Sequence, residues 1–384
     1  MRSRPREVLI AGAGPAALTA AILLARAGYR TRVFEARPLV GGRFHDDYQG
    51  LENWSRREDV LDELREAGIA PTFWHRAFQG GVLYDPDLRP TRIQAPRPLF
   101  YMVRRGPFHP GSLDVALLEQ AREAGAEVVF GTRLDPGAAA VVGTGPHGAP
   151  DLVAAGITFR IDRDDFAGAI LNDALAPAGY VYVLISEGQA TLATVLFEGY
   201  AGLDACLRRS MEAARKLFAL RDFPGIKHWG GRGSFSVPRS CERNGSLLVG
   251  EAGGFQDFLF GFGIRSALVS GRLAAQSIIE GRSYDALWRA RLLPHMKASV
   301  VNRAIYGRLR DAAKKAFWHA TGRTSRPDRV LRWLYGFSPV HRALYPLVAP
   351  RVAAPIEREP GAARRPPGGA DRGGGARPTI SSRM

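Results

Sequence analysis

The chain has 384 residues, 46% hydrophobic and 23% charged, with 53 Lys and Arg against 37 Asp and Glu for a net charge of +16. That composition is ordinary for a soluble globular protein, and the length predicts two or three structural units. Its two cysteines, Cys206 and Cys241, have no CxxC spacing and no nearby His cluster. A disulfide framework and a metal site are therefore excluded, and a reducing cytoplasm is the expected location.

Val8 to Ala11 reads as a buried strand, Pro15 to Ala27 as an Ala- and Leu-rich helix, and Arg32 to Glu35 as the next parallel strand. Together they predict a βαβ unit. A basic start followed by an apolar run resembles a signal peptide, but Gly12, Gly14 and Pro15 interrupt it where a nucleotide-binding turn needs them. Residues Gly12, Gly14, Pro15, Ala16 and Ala17 form a GxGxxA fingerprint. Gly12 permits the tight turn, Gly14 leaves room for a pyrophosphate, and Ala17 lets helix and strand pack closely. The helix N-terminus then faces the phosphates. Glu35, followed by Ala36, closes the second strand, where a carboxylate accepts hydrogen bonds from ribose hydroxyls. A 2′-phosphate would meet a like charge there, so the expected dinucleotide is FAD and not NADP.

Residues 51–100 are mixed. Ser112 to Ala124 predicts a helix capped by Ser112, and Val128 to Phe130 and Ala140 to Val142 predict strands. Gly156 to Ile161, Tyr180 to Ile185 and Thr191 to Phe197 predict an antiparallel sheet, followed by a helix over Leu203 to Leu220. Ser246 to Gly250 returns to a buried strand, and Gly263 to Ile279 to a helix.

Four further segments carry chemistry, and an ordinary glycine-rich turn is the alternative at each. They are Gly41-Gly42-Arg43, the Val142–Pro146 step with Thr144 and Gly145, the run from Leu247 through Gly250 and Glu251 to Gly254, and Phe260 to Ala267 with Gly261, Gly263 and Ile264. The last opens a helix, whose N-terminus would stabilise negative charge on a reduced flavin ring. No second GxGxxG has strand and helix context, so a separate NAD(P)H domain is not expected.

In this order the motifs resemble the geranylgeranyl reductase family, part of the flavoprotein superfamily that also holds the p-hydroxybenzoate hydroxylase type. The resemblance covers about residues 7–280. It implies an α/β fold with a discontinuous FAD-binding domain over 1–50, 101–155 and 237–283. It also implies a β-sheet substrate domain over 51–100 and 156–236, and a helical region over 284–355. It places Gly42, Arg43, Arg105, Gly250 and Glu251 beside the cofactor, with Glu251 where the family usually has Asp. Tyr180 and Tyr182 fall at the family's aromatic pocket motif, without its Trp and Pro. His45, Asp46 and Asp47 stand where archaeal reductases carry a cysteine. Tyr180, Tyr182 and His45 are candidate acids, with a packing role as the alternative for each.

The resemblance implies an FAD-dependent reductase of C=C bonds in an apolar, isoprenoid-like substrate, drawing electrons from transiently docked NAD(P)H or a protein donor. The alternatives are a flavin monooxygenase acting on an aromatic or polyketide-like molecule, though the family Asp-Gly signature is missing, and a non-catalytic FAD-binding protein. Between Asp285 and Arg351 there are 14 Lys and Arg against three acids. They alternate with Trp288, Phe317, Trp318, Trp333, Tyr335, Phe337 and Tyr345. This region suits a peripheral contact with an anionic membrane, or a packed aromatic cap with solvated charges. Basic charge without a recognisable module does not support nucleic-acid binding. Residues 356–384, rich in Pro, Gly and Arg, are expected to be a disordered tail.

Overall fold

The computed structural model describes residues 6–309 and 311–352; the expected tail lies outside them. Ten helices occur among these residues: α1 (Pro15–Arg26), α2 (Val60–Glu66), α3 (Leu113–Glu123), α4 (Leu203–Phe218), α5 (Ile264–Glu280), α6 (Tyr284–Arg291), α7 (Leu293–Tyr306), α8 (Asp311–Arg323), α9 (Pro327–Tyr335) and α10 (Pro339–Val352).

A six-stranded sheet forms the first layer. Its strands run in the spatial order Glu242–Arg243, Ser246–Leu248, Val141–Val142, Glu7–Ala11, Arg30–Glu35 and Glu127–Phe130. All pairings are parallel except the first, a short hairpin. The strand Glu7–Ala11 has Arg30–Glu35 on one side and Val141–Val142 on the other. The chain order reverses at that strand, and ligands of open α/β sheets bind at the carboxyl ends beside such a switch. Helices α1, α3 and α5 cover the sheet with a core built on Ile10, Leu18, Ile22, Val33, Leu117 and Leu273. Ser112 caps α3, its Oγ accepting from Val115 N at 3.1 Å.

The second layer is a seven-stranded, mainly antiparallel sheet. Its centre is Leu152–Arg160, Gln189–Leu196, Tyr180–Ser186 and Phe166–Ile170. The predicted strands are all present, and four escaped the sequence pattern: Phe166–Ile170, Lys227–Gly233, Gly80–Tyr84 and Pro90–Gln94. They are rich in Gly, Ala, Arg or Pro, and tertiary pairing rather than propensity makes them strands. Alternation sorts the faces. Val181, Val183 and Ile185 pack with Leu207, Ala214 and Phe218 of α4. Tyr180 and Tyr182 point the other way, into a second apolar cluster with Leu152, Val195, Phe197 and Phe235. A three-stranded sheet of Tyr48–Glu52, Phe100–Arg104 and His75–Phe78 adjoins both layers.

The first and last thirds are locked together at Glu63 of α2. Its carboxylate accepts from Arg265 Nη2 at 2.9 Å and Arg291 Nη2 at 2.7 Å, and Arg272 lies 3.5 Å away. Burial alone would raise the Glu63 carboxyl, but Arg265 and Arg291 outweigh it and hold it at about 2.

Candidate functional site

Three loops leave the carboxyl ends of adjacent strands and meet at the N-terminus of α1. Gly12 has φ +91°, and a Cβ there would stand 2.5 Å from Gly143 O. Only glycine tolerates both the backbone angle and the approach. A Cβ on Gly143 would stand 3.0 Å from that of Ala17, the small position of the fingerprint. A Cβ on Gly250 would stand 3.2 Å from that of Ala16. Helix α5 crosses α1 so closely that a Cβ on Gly271 would reach 2.0 Å from Ala16 O.

The residues at the mouth of this groove could hold an anionic dinucleotide. Gly14 is the N-cap of α1 and has no side chain to cap it; Pro15 follows as the first helical residue. A Cβ on Gly14 would find only Gly143 O, 3.8 Å away, so the space before the helix is open. The free N–H groups of that first turn need acceptors, and phosphate oxygens supply them. Glu35 is already positioned. Its carboxylate accepts from Ala13 N and from Arg37 N, each at 2.9 Å. That leaves lone pairs for ribose hydroxyls at the end of the second strand, and Ala36 continues the chain from it. The residues present therefore fit FAD.

Arg43 and Glu251 come together across the groove, Nη1 to Oε2 3.1 Å. Gly145 lies beside them, its built Cβ 3.9 Å from Arg43 Nη1, while Thr144 Oγ1 lies 2.8 Å from His147 Nε2. Gly42 sits in the turn just before Arg43, against Leu39 O. Arg105 is engaged differently. Its guanidinium is buried in a two-pronged pair with Asp114 at 2.8 Å and 2.8 Å, and it stacks 4.0 Å from the centre of the Phe44 ring. It shapes the pocket wall behind the Gly41 turn, where Asp114 lies 2.8 Å from the Cβ position of Gly41.

The loop of residues 254–263 carries Gly261 and Gly263 to the N-terminus of α5, which Ile264 opens and no side chain caps. Side chains absent from the sequence-based candidates hold this loop. Gln256 Nε2 donates to Gly261 O at 2.7 Å. The Asp257 carboxylate accepts from Leu259 N at 3.1 Å, Phe260 N at 2.7 Å and Tyr335 Oη at 3.1 Å. Burial pushes the Asp257 carboxyl up to about 6 despite those donors. Arg303 of α7 donates to Leu259 O at 3.1 Å and to Ala178 O at 2.5 Å, with its guanidinium 3.8 Å over the Phe197 ring. A short Asp-capped turn was the one local signal for Asp257; the contacts of Tyr335 and Arg303 are long-range and leave none.

The three candidate acids separate. Tyr180 Oη donates to Phe260 O at 2.7 Å, tying the seven-stranded sheet to the glycine loop. Its ring stands edge-on to Phe260 and 6.2 Å from Tyr182. Burial raises both tyrosine hydroxyls well above their ordinary range. His45 is exposed on the far side of the Gly41 turn, its backbone N–H bound to Asp47 Oδ1 at 3.0 Å.

A dinucleotide groove at the switch point of a parallel sheet, with a separate antiparallel sheet beside it, is the fold of the p-hydroxybenzoate hydroxylase-type flavin oxidoreductases. Residues 7–169 match the FAD dependent oxidoreductase family. The chain's relatives over most of its length are geranylgeranyl reductase-like, at low identity. It is 28% identical over 339 residues to a digeranylgeranylglycerophospholipid reductase of Methanosphaerula palustris, covering 74% of this chain and 81% of the relative. A geranylgeranyl bacteriochlorophyll reductase-like protein of Thermoplasma acidophilum superposes with a TM-score of 0.64 at 19% identity, covering 91% of this chain and 97% of that one. A flavin-dependent brominase shares the fold with a TM-score of 0.62 at 16% identity, covering 90% of this chain and 98% of its own.

Proposed function

We propose that the protein is a reductase that hydrogenates a C=C bond of an apolar, isoprenoid-like substrate. One observation carries this reading: the wall facing the glycine loop is apolar. A Cβ on Gly261 would stand 2.6 Å from Leu152 and 3.9 Å from both the Phe197 ring and Gln256 Nε2, and Val195, Phe235 and Phe258 belong to the same buried apolar cluster. A hydrocarbon chain gains about 25 cal/mol per Å² of apolar surface it buries against such a wall. The reductase of Methanosphaerula palustris, by its name a lipid reductase, supports the same substrate class.

Bound FAD, once reduced, supplies the hydride. The chain's own residues do the rest. The α1 N-terminus, Glu35 and the Arg43–Glu251 pair bind and orient the dinucleotide. The α5 N-terminus would favour negative charge on a flavin ring bound before it. Gln256, Asp257, Arg303 and Tyr180 fix the glycine loop that borders the apolar wall. Tyr182, on the substrate face beside Tyr180, holds a proton at Oη for the second carbon, and solvent is the other source. Electrons come from transiently docked NAD(P)H or from a partner protein.

The test is an anaerobic single turnover. The purified protein is reduced with dithionite, mixed with a geranylgeranyl lipid, and followed by flavin absorbance and product mass spectrometry. Reoxidation with loss of one double bond supports the proposal. Turnover that needs oxygen and inserts it would replace it with the monooxygenase reading, and absence of any redox turnover with the non-catalytic one.

A further inference from the structure

Helix α10 is apolar on both sides. Along its length the sequence offers only His341, Arg342, Tyr345 and Arg351 as side chains with a titratable or charged group. The inner side is accounted for. His341 is buried, with Nε2 3.1 Å from Asn302 Oδ1 and Nδ1 2.7 Å from Ser338 Oγ. Tyr345, Val348 and Ala349 pack on the cluster of Leu152, Phe197, Phe235 and Phe258. The outer side consists of Pro339, Val340, Ala343, Pro346, Leu347 and Pro350, all exposed. Their spacing of i, i+1, i+4, i+7, i+8 and i+11 puts them on one face. Val340 is 53% exposed and Leu347 68% exposed. A surface helix ordinarily turns a polar face to water, and one that is apolar all round is surrounded by apolar material.

The neighbours of this face are basic and aromatic. On α9, Trp333 is 57% exposed, with exposed Arg329 one turn before it. Exposed Arg342 flanks the stripe on α10 itself. The aromatics of this region thus divide: Trp288 and Tyr335 belong to the core, at 0% and 5% exposure, while Trp333 does not. Among the described residues, no helix is long and apolar enough to cross a membrane.

We propose that α10, with Trp333, lies in the surface of an anionic lipid bilayer. The apolar stripe enters the acyl boundary, Trp333 sits at headgroup level, and Arg329 and Arg342 meet lipid phosphates. A second copy of this chain fits less well, because a symmetric pairing would set Arg329 and Arg342 against their own like charges. The chain after residue 352 has Ile356, Ile380 and Met384 as its only large apolar side chains, too few to cover the stripe. The placement also deepens the proposed function and, in its purpose, rests on it. The inner side of α10 covers the apolar wall beside Gly261, so a lipid substrate would reach that wall from the bilayer by passing α10. Pro346 and Pro350 remove two backbone hydrogen bonds from the helix that must give way.

The experiment uses the full FAD-loaded chain and no turnover, so it stands or falls apart from the reductase reading. Co-sedimentation is measured with phosphatidylcholine vesicles, with and without phosphatidylglycerol, at low and high salt. The expected result is binding to the anionic vesicles, weakened by salt. The double variant Val340→Asp, Leu347→Asp should bind them about tenfold less or weaker, with flavin content and melting temperature unchanged. The proposal is overturned if the parent ignores anionic vesicles or if the double variant binds them equally well. It is also overturned if light scattering shows a parent dimer that the variant loses.

Discussion

The two halves of the site are made in different ways. On the dinucleotide side the decisive positions are places where side chains are missing: Gly12 against Gly143 O, Gly250 against Ala16, Gly271 against Ala16 O, and open space before Gly14. On the substrate side the decisive positions are side chains that hold one loop, Gln256 and Asp257 from within it and Arg303 and Tyr180 from across the fold. A cofactor shared by many proteins is gripped by backbone, which demands glycine at fixed spacing. A substrate particular to one protein is framed by side chains, which can come from anywhere in the chain.

Four substitutions would break or sharpen this contrast. Gly12→Val should have the largest effect on the groove itself, because the new side chain meets both a positive φ and Gly143 O. We expect loss of FAD together with destabilisation of at least about 1–3 kcal/mol, read by flavin absorbance and thermal melting. Gly14→Val separates the two consequences. Its Cβ clears the protein, so the melting temperature of the cofactor-free protein should hold while FAD is lost. Normal FAD retention in this variant would mean the groove has been assigned to the wrong ligand.

At the seam between the halves, Glu63→Gln leaves Arg265 and Arg291 without their countercharge. The expected loss is about 3–5 kcal/mol in a urea titration at neutral pH. Because the Glu63 carboxyl is held at about 2 in the folded protein, its contribution is complete above the ordinary carboxylate range. It is lost as pH falls toward 2. The variant should therefore lack that part of the parent's acid sensitivity, and an unchanged acid profile would show that the cluster is not what stabilises the seam. The smallest effect is expected at Tyr180→Phe, which removes one hydrogen bond to Phe260 O. We expect about 1 kcal/mol of stability and less than a tenfold loss of kcat, with FAD content intact. A loss of a hundredfold or more would make Tyr180 a proton donor and not a positioning residue.

The same contrast explains how much could be read in advance. The strand Glu7–Ala11, α1 and the strand ending at Glu35 were legible because a buried strand, a glycine turn and an alanine-rich helix leave a fixed order of residues. Arg43 and Glu251 were both expected at the cofactor, but their pairing was not, since 208 residues separate them. Arg105, expected near the cofactor, pairs with Asp114, nine residues on, and no local pattern marked that partner. Arg303 is 125 residues from Ala178, whose carbonyl it holds, and no periodicity records such a contact. The strand Lys227–Gly233 was hidden for a simpler reason: Gly230, Gly231 and Gly233 read as loop until a partner strand pairs with them.

The crossing of α1 and α5 also governs when the protein can become yellow. The fingerprint comes more than two hundred residues before Gly250, the last wall of the groove it opens, and Gly271, its backing. Glu63 likewise waits for Arg265 and Arg291. The nascent chain thus carries an unfinished half-groove through most of its synthesis, with the apolar faces of α1 and α2 uncovered. A chain cut short before α5 should therefore carry the glycine fingerprint without holding a flavin.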